Sequence, residues 1–397
     1  MSWDYVTLDK LGSISRGKSK HRPRNDKTLF GGKYPFIQTA DVKAAGLYLN
    51  EYTETYSDKG LAQSKLWPAG TLCITIAANI ADTTILGIDA CFPDSVMGFI
   101  PYESVSNVKF VKYAFDILQR DCKKISQGTA QDNLSWKKLS TIKFPAPDIE
   151  IQDKIVFILS VYDDLIKNNQ KQIKLLEEAA QRLYKEWFID LRFPGYEDVK
   201  IVDGVPEGWA EDTIDSKFDL LSGYAFKSAE FNAEGIYKIV TIKNVKDGYF
   251  DSDNVSRMLD IPTKMPEHCK LLDGDILLSL TGNVGRVCIV HGDNYLLNQR
   301  VAKIKSNNPT YAYCLFRSKN MFDEMNNLAN GAAQQNLSPI RTGKIKVVFP
   351  TDKLIDTFEE IVSPMIEKIT MLNKTTLLLS QARDRLLPKL MSGEIEV

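Results

Sequence analysis

From Ile151 the chain takes on a seven-residue rhythm. Apolar or near-apolar positions fall at Ile151, Ile155, Ile158, Tyr162, Leu165, Leu176, Ala179 and Leu183, in steps of four and three. A second stripe at Leu159, Ile166, Ile173, Ala180 and Trp187 repeats every seven. Such steps gather side chains on one side of a helix, so this pattern predicts a coiled-coil seam with an adjoining apolar face. Asn169 and Gln172 fall in that seam, where polar residues tend to fix register at a cost in stability. The helix is expected to end near Phe188, before the Pro-Gly stop of Arg192-Phe-Pro194-Gly195. The same register returns at Phe358, Ile361, Met365, Leu372, Leu379 and Leu386, with Val362, Ile369 and Leu390 alongside. Pro364 is expected to kink this second helix or delay its start, and Pro388 to disturb its last turn. Each helix should run about 35 residues, about 50 Å. Neither can bury its stripe alone. The economical arrangement is an antiparallel pair acting as a spacer.

Ahead of each helical stretch the pattern is different. Short β-type runs (Thr71–Ile76 and Lys143-Phe144; Ile236–Ile242, Asp275–Leu280 and Lys344–Phe349) alternate with Gly, Pro, Asn and Asp turns, and Tyr311–Leu328 reads as helical. These two regions are copies. Gly128-Thr-Ala-Gln131-Asp-Asn133-Leu134-Ser135 is answered by Gly331-Ala-Ala-Gln334-Gln-Asn336-Leu337-Ser338, and Pro147 by Pro350, an offset of 203 residues throughout. Trp3-Asp4 also aligns with Trp209-Ala210, Asp41-Val42 with Asn244-Val245, and Gly70–Ile74 with Gly274–Leu278. A period this long is a whole globule plus a helix, not a solenoid repeat. The expected fold class is α+β, with mixed α/β globules and pseudo-two-fold internal duplication. Its expected parts are a first globule at 1–147, a helix at 148–190, a connector at 191–207, a second globule at 208–350 and a helix at 351–397. Two modules that differ in detail suggest one task performed on two different targets.

Composition narrows the picture. At 397 residues the chain can hold two to four domains, and 44% hydrophobic with 25% charged residues is ordinary for globular proteins. Lys+Arg 50 against Asp+Glu 51 leaves a net charge of −1, so any nucleic-acid-binding face must be a local patch balanced by acid elsewhere. Cys73, Cys91, Cys122, Cys269, Cys288 and Cys314 form no CxxC pair, which reads as reduced thiols rather than a disulfide frame or a zinc site. No apolar run approaches the roughly 20 residues of a membrane span, and no targeting pattern opens the chain. A cytoplasmic protein is the expectation.

Candidate catalytic chemistry is thin. Gly12-Ser-Ile-Ser-Arg-Gly17-Lys18-Ser19 matches the phosphate-loop pattern, but that loop works only between a buried strand and a helix N-terminus. Lys-His-Arg-Pro23 is a poor helix opening, and the second copy has no equivalent of the first glycine. Asn308-Pro-Thr-Tyr311, one residue from a DNA amino-methyltransferase loop, reads more easily as a capped helix start. The three histidines, His21, His268 and His291, lack metal spacing, and Asp163-Asp164 fits a solvated helix face. No catalytic centre and no metal site are expected.

A binding signal remains. Lys18, Lys20, His21, Arg22, Arg24 and Lys27 form a basic loop of the sort that lies along phosphates. Asn298-Gln299-Arg300 concentrates three side chains able to bond base edges, as do Gln131, Asn133, Gln334 and Asn336. Asn79, Lys243, Asn244, Asn283 and Arg286 complete the candidate DNA-binding set. Features shared by the copies should be scaffold or common contacts. Target choice should lie where they differ, in the basic loop against Gly223–Phe231 and in Asp94-Ser95-Val96 against Asn298-Gln299-Arg300.

The whole arrangement resembles the specificity subunits of Type I restriction–modification systems, the HsdS family. The resemblance rests on the duplicated Gly-(Thr/Ala)-Ala-Gln-x-Asn-Leu-Ser segment, on Leu183-Tyr-Lys-Glu-Trp187-Phe188, and on Arg385-Leu-Leu-Pro388-Lys-Leu-Met-Ser-Gly393-Glu-Ile. It implies two target-recognition domains reading an asymmetric bipartite site in double-stranded DNA, with the paired helices setting the gap. It also implies a non-catalytic chain that binds two methyltransferase subunits, joined in the full complex by motor-nuclease subunits. S-adenosylmethionine, ATP and magnesium would then belong to those partners, with no cofactor on this chain. The stripe left after helix pairing, including Ile166, Ile173, Trp187, Phe188, Ile369 and Leu390, would dock the methyltransferase. Competing readings are a P-loop NTPase or motor subunit built on Gly12–Ser19, a coiled-coil assembly protein without a DNA role, and a specificity chain whose methyltransferase lacks a motor. Replacing Asn298, Gln299 or Arg300 should alter one half of the target only and leave assembly intact. Methylation with unchanged sequence preference in all three variants would misplace the second reading surface.

Overall fold

A computed structural model describes residues 3–76, 82–125, 136–253, 255–329 and 336–397, with side chains at 120–125 and 136–137 set aside. Asn79, Gln131, Asn133 and Gln334 lie outside the described residues or side chains. The chain divides into two compact units, Met1–Ile166 with Leu379–Val397, and Lys167–Leu378. Each unit therefore holds one globule together with part of each long helix.

In the first unit, strand Tyr5–Thr7 pairs antiparallel with Lys143–Pro145, closing the globule. A five-stranded sheet runs in the spatial order Gly12–Arg16, Val96–Pro101, Leu72–Thr75, Thr83–Leu86, Tyr48–Leu49. A four-stranded sheet runs Glu54–Tyr56, Phe30–Phe36, Ala90–Cys91, Leu66–Trp67. The second unit repeats this almost strand for strand. Ala210–Thr213 pairs with Lys346–Phe349. One sheet runs Asp219–Ser222, Val301–Lys305, Ile276–Ser279, Val287–Ile289, and the other Ser256–Met258, Tyr237–Val240, Tyr295–Leu297, Lys270–Leu271.

The central strands are buried on both faces, and alternation along them assigns each side chain to a layer. Leu72 and Ile74 join Phe110 and Val111 of helix Val108–Ile125 in one core, while Cys73 between them joins Trp67 and Phe92 in another. In the second unit Ile276 and Leu278 pack with Tyr311 and Phe316 of helix Pro309–Arg317, whereas Leu277 packs with Cys288 and Leu296. Asn308 is the residue before this helix and Pro309 opens it, as the helix-start reading of that segment requires.

The long helices span Ile149–Tyr184 and Asp352–Met391, the first continuing as a π-turn over Lys185–Ile189. The second runs unbroken through Pro364 and Pro388, so neither proline delays its start. Antiparallel pairing is visible in each unit. In the first, Ile155 and Leu159 share a core with Leu387 and Leu390, and Arg383 bonds Asp163 at 2.5 Å. In the second, Asn169 donates to Thr376 at 3.3 Å and Trp187 meets Phe358 at 5.7 Å.

The seam differs from its expected composition. The line through Leu159, Ile166, Ile173, Ala180 and Trp187, expected to flank it, lies inside, together with Ile155, Tyr162, Asn169, Leu176 and Leu183. The line through Ile158, Leu165, Gln172 and Ala179 lies at the edge: Ile158 packs on the first core, while Leu165, 45% exposed, and Ala179 turn outward. Three heptad lines were apolar, and only the partner decides which two face inward. Leu159→Ala should therefore cost about 2–5 kcal/mol of unfolding free energy, while Leu165→Ala should cost under about 0.5 kcal/mol. Urea denaturation of the two variants checks this, and equal losses would refute the reassigned seam.

Candidate nucleic-acid interface

The two globules hold their equivalent loops with the same backbone bonds. Gly17 N–H donates to Val96 O at 2.9 Å, and Gly223 N–H to Val301 O at 3.1 Å. Lys18 N–H reaches Phe92 O at 3.2 Å, and Tyr224 N–H reaches Leu297 O at 2.9 Å. Val96 and Val301 close the same turn onto Pro93 O and Asn298 O, and Ile76 and Leu280 bond Ser95 O and Arg300 O. These bonds shift the alignment by one residue from its sequence form. Pro93-Asp94-Ser95 is the counterpart of Asn298-Gln299-Arg300, and Lys18 and Lys20 are the counterparts of Tyr224 and Phe226.

In the first globule the basic residues Lys18, Lys20, Arg22, Arg24 and Lys27 are exposed on a loop tied down from within. Arg22 Nη1 donates to Ser19 O at 2.7 Å and His21 O at 2.8 Å, and His21 Nε2 lies 2.7 Å from Asp26. The Thr28 hydroxyl and amide both donate to Asp26, holding its carboxyl below the usual carboxylate range. Arg24 reaches across to Asp94, with Nη2 at 3.0 and 2.9 Å from the two carboxylate oxygens. The loop borders a cleft of about 710 Å³ whose wall includes Arg24, Asn25, Lys27, Gln38, Glu54 and Ser95, over Phe36 and Tyr56 stacked at 4.0 Å. Asn25, Gln38 and Glu54 were not among the expected residues, whereas Ser95 belongs to the segment expected to set target choice. Gln38 lies two residues beyond strand Phe30–Phe36, and nothing in its own spacing marks it as lining a cleft.

In the second globule the structure gathers most of the candidates around one edge. The 298–300 turn bonds Leu280, Leu337 N–H reaches Leu280 O at 2.7 Å, and Asn336 bridges to Thr281. Arg286 N–H bonds Ser279 Oγ at 3.0 Å, which in turn donates to Asn283 O at 2.5 Å. Asn283, Gln299, Arg300, Asn336 and Lys243 are exposed, and Asn298 and Arg286 are half-buried. Ser338 caps helix Pro339–Gly343 through Arg341 N–H, so this part of the duplicated motif is scaffold.

Asn244 has a different job. It is 1% exposed, its Oδ1 accepts from Thr241 N–H and hydroxyl, and its Nδ2 donates to Asp251 and Asp253 carbonyls. All of that side chain's capacity is spent folding its own loop, as Asp41 does for Gln38 and Thr53 in the first globule. The expected docking residues also divide. Ile166 and Ile173 are half-buried along the seam, while Trp187, Phe188, Ile369 and Leu390 are within the chain's own cores and present no free face. Phe188 alone contacts Tyr311 and Phe358 at 5.1 Å each and Trp209 at 6.2 Å.

The phosphate-loop reading of Gly12–Ser19 does not survive. Gly12–Arg16 is a strand paired with Val96–Pro101, and the next α-helix begins only at Thr39. Among the described residues no group of His, Cys, Asp and Glu is arranged to hold a metal ion, and no helix is long and apolar enough to cross a membrane.

Residues 2–178 and 206–376 match the Type I restriction modification DNA specificity domain. The chain belongs to this family. It is 25% identical, over all of this chain and 94% of the relative, to the Type I restriction enzyme MjaIX specificity subunit of Methanocaldococcus jannaschii. The MjaVIII specificity subunit of the same organism is 26% identical over all of this chain and 93% of its own. The crystal structure of the Type I restriction–modification S subunit from M. genitalium shares the fold, with a TM-score of 0.59 at 18% identity, covering 98% of this chain and 96% of that one.

For a specificity domain the shared turn is also a packing constraint. A Cβ on Gly17 would stand 2.3 Å from Phe92 O, and one on Gly223 2.3 Å from Asn298 O. Backbone on both sides leaves no flexible side chain to yield. Gly17→Ala and Gly223→Ala should each cost about 1–3 kcal/mol, read as a lowered melting temperature, and wild-type melting in both would show that the turns tolerate a side chain.

Proposed function

We propose that the two globules read the two halves of an asymmetric, split target in double-stranded DNA. The observation that carries this is the pairing of one backbone scaffold with divergent side chains, exposed lysines in one globule and half-buried aromatics in the other. Lys18 and Lys20 stand where the second globule has Tyr224 and Phe226, and Asp94 and Ser95 where it has Gln299 and Arg300. Equal scaffolds with unequal donor and acceptor sets fit two different base sequences, because each base pair offers a distinct pattern in the major groove. Lysines and arginines of the basic loop would supply phosphate contacts that position the reader without specifying sequence.

The helices in this reading set the interval between half-sites and dock two methyltransferase subunits. Support comes from large apolar side chains left outside the seam, among them Phe157 at 72% exposure, Leu175 at 55%, Met371 at 50% and Leu378 at 57%. Apolar groups of that size on a helix face suit a protein partner. Methyl transfer, with S-adenosylmethionine, belongs to that partner, and ATP- and magnesium-dependent cleavage to motor-nuclease subunits of the full complex. The chain itself contributes recognition and geometry, and it works in the cytoplasm where those partners meet DNA.

Co-expression with the methyltransferase subunit, followed by long-read mapping of methylated adenines, tests the proposal. A two-part motif with a fixed, unspecified gap is expected. A stable complex that methylates no motif, or a single continuous one, would overturn it.

A further inference from the structure

Building on that reading, we propose that Arg24 reads a guanine in the half-site of the first globule, and that Asp94 is the residue that positions it. Both side chains are about half exposed, at 52% and 42%. An ion pair in that setting contributes next to nothing to stability. What it does fix is direction. Both anchors are held: Asp94 sits on the turn closed by the Val96-to-Pro93 and Ile76-to-Ser95 bonds, and Arg24 follows the loop pinned by Arg22 and His21.

The chemistry of the exposed edge selects the ligand. Only Nη2 of Arg24 is engaged by Asp94, which leaves Nε–H and the Nη1 hydrogens for acceptors outside. A carboxylate beside the guanidinium offsets its charge and repels phosphate, so this arginine is the poorest phosphate anchor of the loop. Lys18, Lys20 and Lys27 carry no such neighbour in contact and suit phosphates better. A neutral partner rich in acceptors remains. Guanine presents two of them, O6 and N7, in the major groove, whereas adenine and thymine each present one acceptor and cytosine none. Arg24 also lines the cleft beside Asn25, Gln38 and Ser95, so the base edge would meet further polar groups there. The second globule places Gln299 at the position of Asp94. It therefore lacks this buttress, and its half-site calls for different chemistry.

The test uses the complete complex with its methyltransferase subunits and duplexes carrying its mapped motif. Each guanine of each half-site is replaced in turn by 7-deazaguanine, which lacks the N7 acceptor, and binding is measured for wild type, Arg24→Ala, Arg24→Lys and Asp94→Asn. At one guanine, wild type should lose about tenfold or more, while Arg24→Ala should bind both duplexes alike and Arg24→Lys should lose less than wild type. Asp94→Asn should fall between. Arg24→Lys keeps the charge without the fork and serves if Arg24→Ala fails to assemble. A half-site without guanine overturns the inference, as does undiminished 7-deazaguanine sensitivity in both Arg24 variants. Uniform weakening on every duplex would make Arg24 a phosphate contact and overturn it too. The absence of any split motif in the wild type overturns the functional reading and this inference together. A split motif indifferent to Arg24 overturns the inference alone.

Discussion

The antiparallel pairing of two amphipathic helices, separated by about 160 residues of chain, is the constraint on which the rest of the structure depends. Neither globule completes its core without it. In the first unit Ile155, Val156 and Leu159 from one helix and Leu387, Leu390 and Met391 from the other pack against Leu8, Leu72 and Phe110. In the second, Ala180, Tyr184 and Trp187 meet Phe358 and Val362 beneath Tyr311. Closing so long a loop costs conformational entropy that grows only slowly with its length. The return is a shared apolar core in each unit, together with fixed attachment points for each globule. Glu359 of the second helix accepts Thr310 and Tyr311 N–H at 2.9 and 3.0 Å, capping the helix that covers the sheet. Gln152 of the first helix does a similar service at Asn107, at 2.9 Å.

On this frame the duplication is most exact where it cannot be seen as letters. Gly17 and Gly223 have equivalent bonding partners, Val96 and Val301, and each is crowded by equivalent backbone that forbids a side chain. Asp41 and Asn244 differ chemically, yet each spends its oxygen on the amide three residues earlier. The surfaces carried by these turns have no such obligation. Lys18 and Lys20 are exposed, whereas Tyr224 and Phe226 at the equivalent positions pack on a core with Ile239 and Leu296, so one backbone carries two different surfaces.

How much of this was legible in the sequence follows from which interactions are local. Heptad spacing announced both helices to within a few residues, because periodicity is a property of one segment. Which of three apolar lines became the seam depended on a partner elsewhere in the chain, and that reading chose the outer line through Leu165. Pro364 looked like a break. In a helix of 40 residues held by tertiary packing, a single missing donor is tolerated. Trp187 and Phe188 looked like a sticky exposed stripe because nothing local reveals Tyr311 and Trp209 waiting above them. The candidate DNA-facing residues divide in the same way: the basic loop is a run and was readable, while the cleft brings Gln38 and Glu54 to that loop from distant segments and was not. Asn244 shows the converse. Its residue type suggested base contact, and only its bonds show it folding a loop.

Apolar seams leave one ambiguity, since a slide by one heptad preserves most of their contacts. Polar groups remove it. In the first unit such a slide would set Asp163 against Leu390 instead of Arg383, abandoning a bond of 2.5 Å and the Tyr113 hydroxyl that also reaches that carboxylate at 2.5 Å. In the second, a one-heptad slide in the opposite direction would set Asn169 against Ile369 in place of Thr376, leaving its amide unpaired at 7% exposure. There Glu177 is pushed up by burial and pulled back by Arg317 and Tyr313, a balance available only in the native register. Buried charges and amides of this kind add little to net stability, but unpaired they are costly. They therefore act on alternatives more than on the native state, and excluding a one-heptad slip keeps each globule at a single place along its helices.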